Sequence, residues 1–332
     1  METGNTQSGK MRNANRTTRA RKRVPTGEIP RRPFGRSGVP VSLLGLGGSS
    51  LGVVRSEAEA IRIVHEALDA GINFMDNAWE YHDGRSEKRM GKALKGRRDQ
   101  AFVMTKVCTH GRDGKLAMRQ LEQSLKRLQT DVIDLWQIHE VIYDNDPDLH
   151  FAKGGVVEAL ERAKRQGKVR FLGFTGHKDP SIHLKMLAHD FPFDACQLPL
   201  GVFDASFRSF EQQVLPELTR RGIAPIGMKS LGGTGNAVKR RVVTVREALR
   251  YVMSLPIATL VSGIDSLKVL RQNLAIVRSF EPMKPQEMQS LRRRCAKEAV
   301  DGRFELYKTS ICFDGPPGRE QHGFPPEKKV PA

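Results

Sequence analysis

VIDLWQIH at 132–139, GVVEALERAKRQG at 155–167 and VRFLGFTG at 169–176 decide the fold. The two flanking runs are apolar almost without interruption, instead of alternating every second residue. Such runs mark strands buried on both faces, which are parallel strands. The middle segment places apolar residues near i, i+3, i+4 and i+7, the spacing of a one-sided helix, and stops at Gly167, a residue suited to a left-handed helix end. Strand, helix, strand in this order is one βα crossover unit.

The same unit recurs along the chain. Its apolar runs are LLGLGG (43–48), FMDNA (74–78), FVMTKV (102–107), VIDLWQIH (132–139), VRFLGFTG (169–176), ACQLPL (195–200), APIGMKS (224–230) and ATLVSGI (258–264). Segments with helical spacing lie between them, and several end on glycine, at Gly71, Gly96, Gly167 and Gly222. Eight βα units predict a TIM (β/α)8 barrel. The rival doubly wound sheet usually carries GxGxxG after its first strand, whereas LGLGGSSLG at 44–52 lacks that spacing and is read with no helix opening directly behind it. RRPFGRSGVPV at 31–41 reads as a hairpin capping the N-terminal end of the barrel, with GRSG as its turn. KPQEMQSLRRRCAKEAV reads as an added helix, and the Pro/Gly-rich tail after it as an extension running back over the barrel mouth. The expected division is a basic arm over 1–28, the barrel over 29–282 and a C-terminal helix and tail over 283–332.

Composition excludes several classes. With 39% apolar and 28% charged residues the chain is globular, and no apolar run approaches the roughly 20 residues that cross a bilayer. Residues 1–36 carry ten Lys/Arg against two Glu, so +8 of the formal +18 sits in a polar stretch poor in apolar residues, whose first 25 or so residues are expected to be a disordered arm. The remaining charge is spread over helices, and no aromatic-plus-basic stripe suggests base stacking, so no specific nucleic-acid partner is expected. Cys108, Cys196, Cys295 and Cys312 have neither CxxC nor zinc spacing and read as reduced thiols. No apolar segment follows the basic N-terminal residues, so a cytoplasmic location is expected.

In a TIM barrel the C-terminal ends of the strands face the active site. The polar residues at those ends are Asp76, Lys106, His139, the set Thr175, Gly176 and His177, then Gln197, Lys229 and Ser262. Each alone has an ordinary explanation in a turn, a solvated cation or a satisfied core histidine. Their occurrence on successive strand ends is harder to attribute to chance.

Asp76, Ala78, Tyr81, Glu87 and Met90-Gly91 form D-x-A-x2-Y-x5-E-x2-M-G. That pattern resembles the signature of the aldo-keto reductase superfamily, and the likeness continues through Lys106 in TKV, His139 in DLWQIHE, GKVRFLGFTGH, and Gly263 to Asn273. It covers roughly residues 31–280. The resemblance implies a TIM barrel, an NADP(H)-dependent reductase of small carbonyl compounds, and a catalytic tetrad of Asp76, Tyr81, Lys106 and His139. A free phenol, with a pKa near 10, is a reluctant acid, so a neighbouring ammonium is expected to tune Tyr81, with Asp76 holding Lys106 and His139 donating to the substrate oxygen.

By the same resemblance the cofactor would be held by Gly48, Thr175, Gly176, Gln197, Met228, Lys229, Leu231, Gly233, Gly263, Lys268, Gln272 and Asn273. Leu231 and Gly233 belong to the Gly-rich SLGGTG at 230–235, whose backbone N–H groups suit a pyrophosphate. The chain has Thr175-Gly176-His177 where many members have Ser-Asn, Met228 where an aromatic commonly stacks, and Val269 where an Arg is frequent, with Lys268 and Arg271 adjacent. Phe304, Tyr307, Phe313 and Phe324 are candidate pocket walls. The alternative on the same barrel is an NADPH-binding sensor or scaffold with little turnover. Substrate identity and oligomeric state are not legible.

Overall fold

Each of the eight apolar runs becomes one strand of a closed parallel barrel. The computed structural model describes residues 1, 27–108, 113–311 and 313–314. The strands are β1 (Arg31–Pro33), β2 (Pro40–Ser42), β3 (Leu44–Gly47), β4 (Phe74–Met75), β5 (Phe102–Cys108), β6 (Ile133–Val141), β7 (Val169–Gly176), β8 (Ala195–Pro199), β9 (Ala224–Met228) and β10 (Thr259–Gly263). β3 to β10 close in sequence order, with β10 returning to pair with β3. Every residue of β5, β6 and β8 is buried, as continuous apolar runs require of strands covered on both faces.

The helices obey ordinary end rules. Ser56, Asp113, Asp179 and Ser266 each accept a backbone N–H from the first turn behind them, and Thr244 and Glu247 form a capping box. Gly222 ends its helix in the left-handed conformation, φ 66°, returning its N–H to the carbonyls of Leu218 and Thr219. One expectation fails: a short helix, Gly48–Val53, does open directly behind β3. Local propensity does not favour a helix of Gly, Ser and Gly. Buried Arg89 stabilises it from outside, donating to the carbonyls of Leu51 at 2.5 Å, Gly52 at 3.2 Å and Val54 at 3.0 Å, groups that a helix end leaves without partners.

β1 and β2 pair antiparallel, with Pro33 opposite Pro40, as the hairpin reading expected. The turn between them drives Phe34 into the bottom of the barrel, where it is fully buried, 4.8 Å from Phe102, 5.5 Å from Phe171 and 6.5 Å from Phe74 between ring centres. The lower interior is thus apolar and closed, and polar chemistry is confined to the other end.

After β10, helix Pro285–Ala299 buries Leu291, Cys295 and Ala299 on the barrel flank, and its Arg292 reaches Glu211 and Tyr251. The chain then returns across the C-terminal mouth as a strap. Lys308, fully buried, fastens it: the ammonium donates to Asp204 Oδ1 and the Phe207 carbonyl, each at 2.7 Å, and pairs with Glu305 at 2.9 Å. Apart from Met1 and residues 27–28, the arm expected at 1–28 lies outside the described residues, as do Cys312 and the tail from 315 on, including Phe324. Among the described residues, Cys108, Cys196 and Cys295 are buried and form no disulfide. Among the described residues no helix is long and apolar enough to cross a membrane.

Phe34→Ala removes the plug's central ring and should cost about 3–5 kcal/mol of stability in chemical denaturation; an unchanged midpoint would show that the hairpin only decorates the barrel.

Candidate active site

A cavity of about 320 Å³ opens where the barrel strands end, lined by Asp76, Tyr81, Lys106 and His139 among others. β4 stops at Met75, and Asp76 follows it with its N–H donated to the Leu46 carbonyl at 2.9 Å. The loop behind Asp76 reverses through left-handed residues His82, Asp83 and Gly84, which brings Tyr81 back over the barrel before helix Arg85–Leu94 leads away. Glu87, from the same signature, does not reach the cavity. It is buried beneath the loop, accepting from Thr105 Oγ1 at 2.6 Å and Arg127 at 3.1 Å, and burial raises its carboxyl above the usual range despite those donors. Gly91 is where this helix meets the next: a Cβ there would lie 2.4 Å from the Arg127 carbonyl.

Lys106 is the centre of the arrangement. Only 1% exposed, its ammonium lies 2.5 Å from Asp76 Oδ1, 2.7 Å from the Asn77 carbonyl and 3.2 Å from the Tyr81 hydroxyl, so all three protons have partners. Asp76 is held in turn by the Gly48 N–H at 3.3 Å and by Gln197 Nε2 at 3.4 Å, and Gln137 Nε2 donates to Gln197 Oε1 at 3.0 Å. Strand register puts His139, Thr175 and Gln197 at one level. The His139 ring stands edge-on to Tyr81, 5.9 Å between centres. The four sequence-assigned catalytic candidates therefore meet.

The phenol does not follow the simple expectation that Lys106 tunes it downward. Burial first, then the charges of Asp76, Glu80 and Glu140, push Tyr81 well above the ordinary tyrosine range. The net result is a neutral phenol whose proton is in place.

The proposed cofactor residues divide. Thr175, Gln197, Met228, Lys229, Gly233 and Gly263 line the cavity. Gly48 stands behind it, where a Cβ would lie 2.2 Å from the Asp76 carbonyl. Gly176 is packed against Val141, Leu231 against the core, and buried Asn273 donates to Ser262 Oγ at 3.0 Å, so these three act by packing and hydrogen bonding around the mouth and not on its wall. Lys268 and Gln272 are exposed on helix Leu267–Arg278. Arg271, a candidate second charge beside Lys268, is taken by Glu66 in a two-pronged pair at 2.7 and 2.9 Å.

A second layer of ionisable groups surrounds the four catalytic candidates: His177, read from the sequence as a strand-end residue, and Glu80, Glu140 and Asp314, to which sequence reading gave no role. Glu80 Oε1 lies 3.0 Å from His139 Nδ1, off the direction of the ring N–H, and Glu140 Oε2 lies 3.8 Å from Nε2. Glu140 also faces His177 Nδ1 at 2.8 Å, and His177 Nε2 faces Asp314 of the strap at 3.5 Å, which pairs with Lys178 at 2.9 Å. Burial works to raise both glutamates but is overcome: His139 and a Cys108 hydrogen bond bring Glu80 below the usual carboxylate range, and His177, His139 and Lys229 bring Glu140 far below it. A register shift between His139 and Val141 lets neighbours His139 and Glu140 both line the cavity, which regular alternation forbids. Phe313 closes the roof, with the Lys229 ammonium 4.5 Å from its ring centre, and Tyr307 packs behind it. Phe304 instead packs on Phe203, and Trp79 turns outward to Gln123 at 2.6 Å.

The model of the Aldo/keto reductase family matches residues 43–242. L-galactose dehydrogenase from Arabidopsis thaliana is 34% identical over 160 residues, 45% of this chain and 49% of that protein; the chain thus spans about half the length of the first curated relatives it matches. A 6-dehydroglucose reductase from Novosphingobium aromaticivorans is 31% identical over 217 residues, 61% of this chain and 69% of that protein. The holo form of an aldo-keto reductase from Bacillus halodurans superimposes with a TM-score of 0.69 at 25% identity, covering 84% of this chain and 100% of that one. A family match over more than half the sequence, joined to an eight-stranded barrel alike over most of its length, makes this chain a member of the aldo/keto reductase family of oxidoreductases.

Proposed function

We propose that the protein is an NADP(H)-dependent reductase that converts a small aldehyde or ketone to an alcohol, with Tyr81 as the general acid. The observation that carries this reading is the buried contact of the Lys106 ammonium with both Asp76 and the Tyr81 hydroxyl at the wall of the cavity. The polar groups fit a nicotinamide nucleotide. Thr175 and the Gln197 amide suit a carboxamide; Gly233 and Gly263 leave backbone exposed at the mouth, where a Cβ on Gly263 would meet only Ser50 Oγ. Exposed Lys268 in the first turn of helix Leu267–Arg278 suits an anion such as a 2′-phosphate. Bound NADPH would supply the hydride.

The chain's own residues do the rest. Tyr81 gives its proton to the carbonyl oxygen as charge develops there, and Lys106 stabilises the phenolate left behind. Asp76 keeps the lysine charged and in place, and His139 directs a hydrogen bond to the same oxygen. The two named sugar-acting relatives favour a hydroxylated carbonyl substrate.

Alkaline titration should find no phenolate from Tyr81 at pH 10, read as an unchanged phenolate absorbance difference between wild type and Tyr81→Phe at that pH. With NADPH and a panel of aldehydes, ketones and sugars, nicotinamide absorbance should fall, and Tyr81→Phe should lower kcat by roughly 10²- to 10⁴-fold; an undiminished rate would remove Tyr81 from its role. Lys106→Met should lower kcat by about 10²-fold or more while NADPH still binds. Tight NADPH binding with no carbonyl reduced would favour the sensor reading.

A further inference from the structure

A carboxylate oxygen on the cavity wall has no part in the tetrad or in the cofactor reading. Glu140 follows His139 on β6, and the register shift beside it turns its side chain into the cavity, although the residue is only 4% exposed. Its contacts with described residues run through one oxygen: Oε2 faces His177 Nδ1 at 2.8 Å and His139 Nε2 at 3.8 Å. Oε1 has no hydrogen-bond or ion-pair partner among the described residues, yet it is not sealed away and opens on the cavity. Glu80, on the other side of His139, differs in this respect. Its Oε1 is turned to His139, and its Oε2 is shut off from solvent.

A carboxylate oxygen in a confined site is a strong acceptor, open to a cation or to a neutral N–H or O–H donor. The surroundings of Glu140 select among these. Lys229 lines the same cavity, so an added cation would meet a like charge, whereas a hydroxyl brings none. Position selects further. Glu140 Oε2 lies 3.8 Å from His139 Nε2, and on the proposed reading His139 directs a hydrogen bond to the carbonyl oxygen. A group on the carbon next to the carbonyl is then the first part of a substrate to come within reach of Oε1.

We infer that Glu140 is a specificity-determining residue: its Oε1 accepts a hydrogen bond from a hydroxyl on the carbon next to the carbonyl, so that the site selects α-hydroxy aldehydes and ketones over their deoxy counterparts. This rests on the reading of the cavity as a carbonyl-reducing site. The carboxylate is held in its orientation from two sides. His177 takes up Oε2, and Asp314 of the strap stands behind His177 at 3.5 Å, so wall and roof together fix the acceptor. Such a site rejects the analogue without the hydroxyl, because covering Oε1 without giving it a donor is costly.

Paired substrates test this in the full chain with NADPH: hydroxyacetone against acetone, and glyceraldehyde against propanal. In wild type the hydroxylated member of each pair should have a kcat/KM roughly 10- to 100-fold higher. Glu140→Leu keeps the bulk and removes the acceptor, and should bring that ratio to within about twofold of one. Glu140→Gln removes only the charge and should give an intermediate ratio; it decides if the leucine variant does not fold, since a ratio equal to wild type's would count against the proposal. Damage confined to the fold or to His139 moves both rates of a pair together and preserves the ratio. A preserved ratio in Glu140→Leu therefore overturns the assignment, as does a wild-type ratio near one. Glu80→Gln should keep the wild-type ratio, and an equal collapse there would take the role away from Glu140. Saturation-transfer NMR of the same four compounds, with the oxidised nucleotide in place of NADPH, reads binding without turnover. A hydroxyl preference in binding that Glu140→Leu abolishes, in a protein that reduces none of the four, would uphold Glu140 and defeat the reductase reading. No preference in binding and none in rate defeats the proposal itself.

Discussion

An ammonium group taken out of water is costly unless every proton finds a partner, and Lys106 meets that condition with Asp76, the Asn77 carbonyl and the Tyr81 hydroxyl. The three partners lie on β4's end and the loop behind it, while the lysine belongs to β5, so the ion pair exists only where these strands are neighbours in the correct register. Closing the barrel satisfies the charge, and the charge in turn penalises any slip of β4 against β5. The Gly48 N–H and Gln197 extend the same constraint to β3's end and to β8, across the barrel. Stability and chemistry draw on one set of contacts here.

The two ends of the barrel are built on opposite principles. Phe34, Phe74, Phe102 and Phe171 fill the lower end with rings and exclude water. At the upper end the walls carry lysines, histidines and carboxylates in a confined space, where each charge acts through a low dielectric and sets its neighbours' protonation. Tyr81 shows the result: a phenol that holds its proton firmly until charge appears next to it.

The eight strands and the capping hairpin were legible because apolar continuity and glycine stops are local signals; strand-end polarity pointed to Asp76, Lys106 and His139, and only the family resemblance joined Tyr81 to them. What was not legible depends on contacts between distant segments. The end of helix Gly48–Val53 is held by Arg89, and Arg271 is engaged by Glu66, 205 positions away. Glu140 enters the cavity because of a register irregularity that leaves no mark in the alternation of residues. Asp314 reaches His177 only because the strap folds back. Glu80 comes close to His139 through the loop that turns left-handed at His82 and Asp83, where non-glycine residues hide the bend.

Lys308 and Asp204 stand 104 positions apart, and neither could stay buried alone. The roof that carries Phe313 over the pocket is therefore attached after the walls. A chain growing from its N-terminus holds its would-be catalytic groups under an open sky until the last described residues arrive. Enclosure of the cavity thus hangs on one buried lysine, which is its latch.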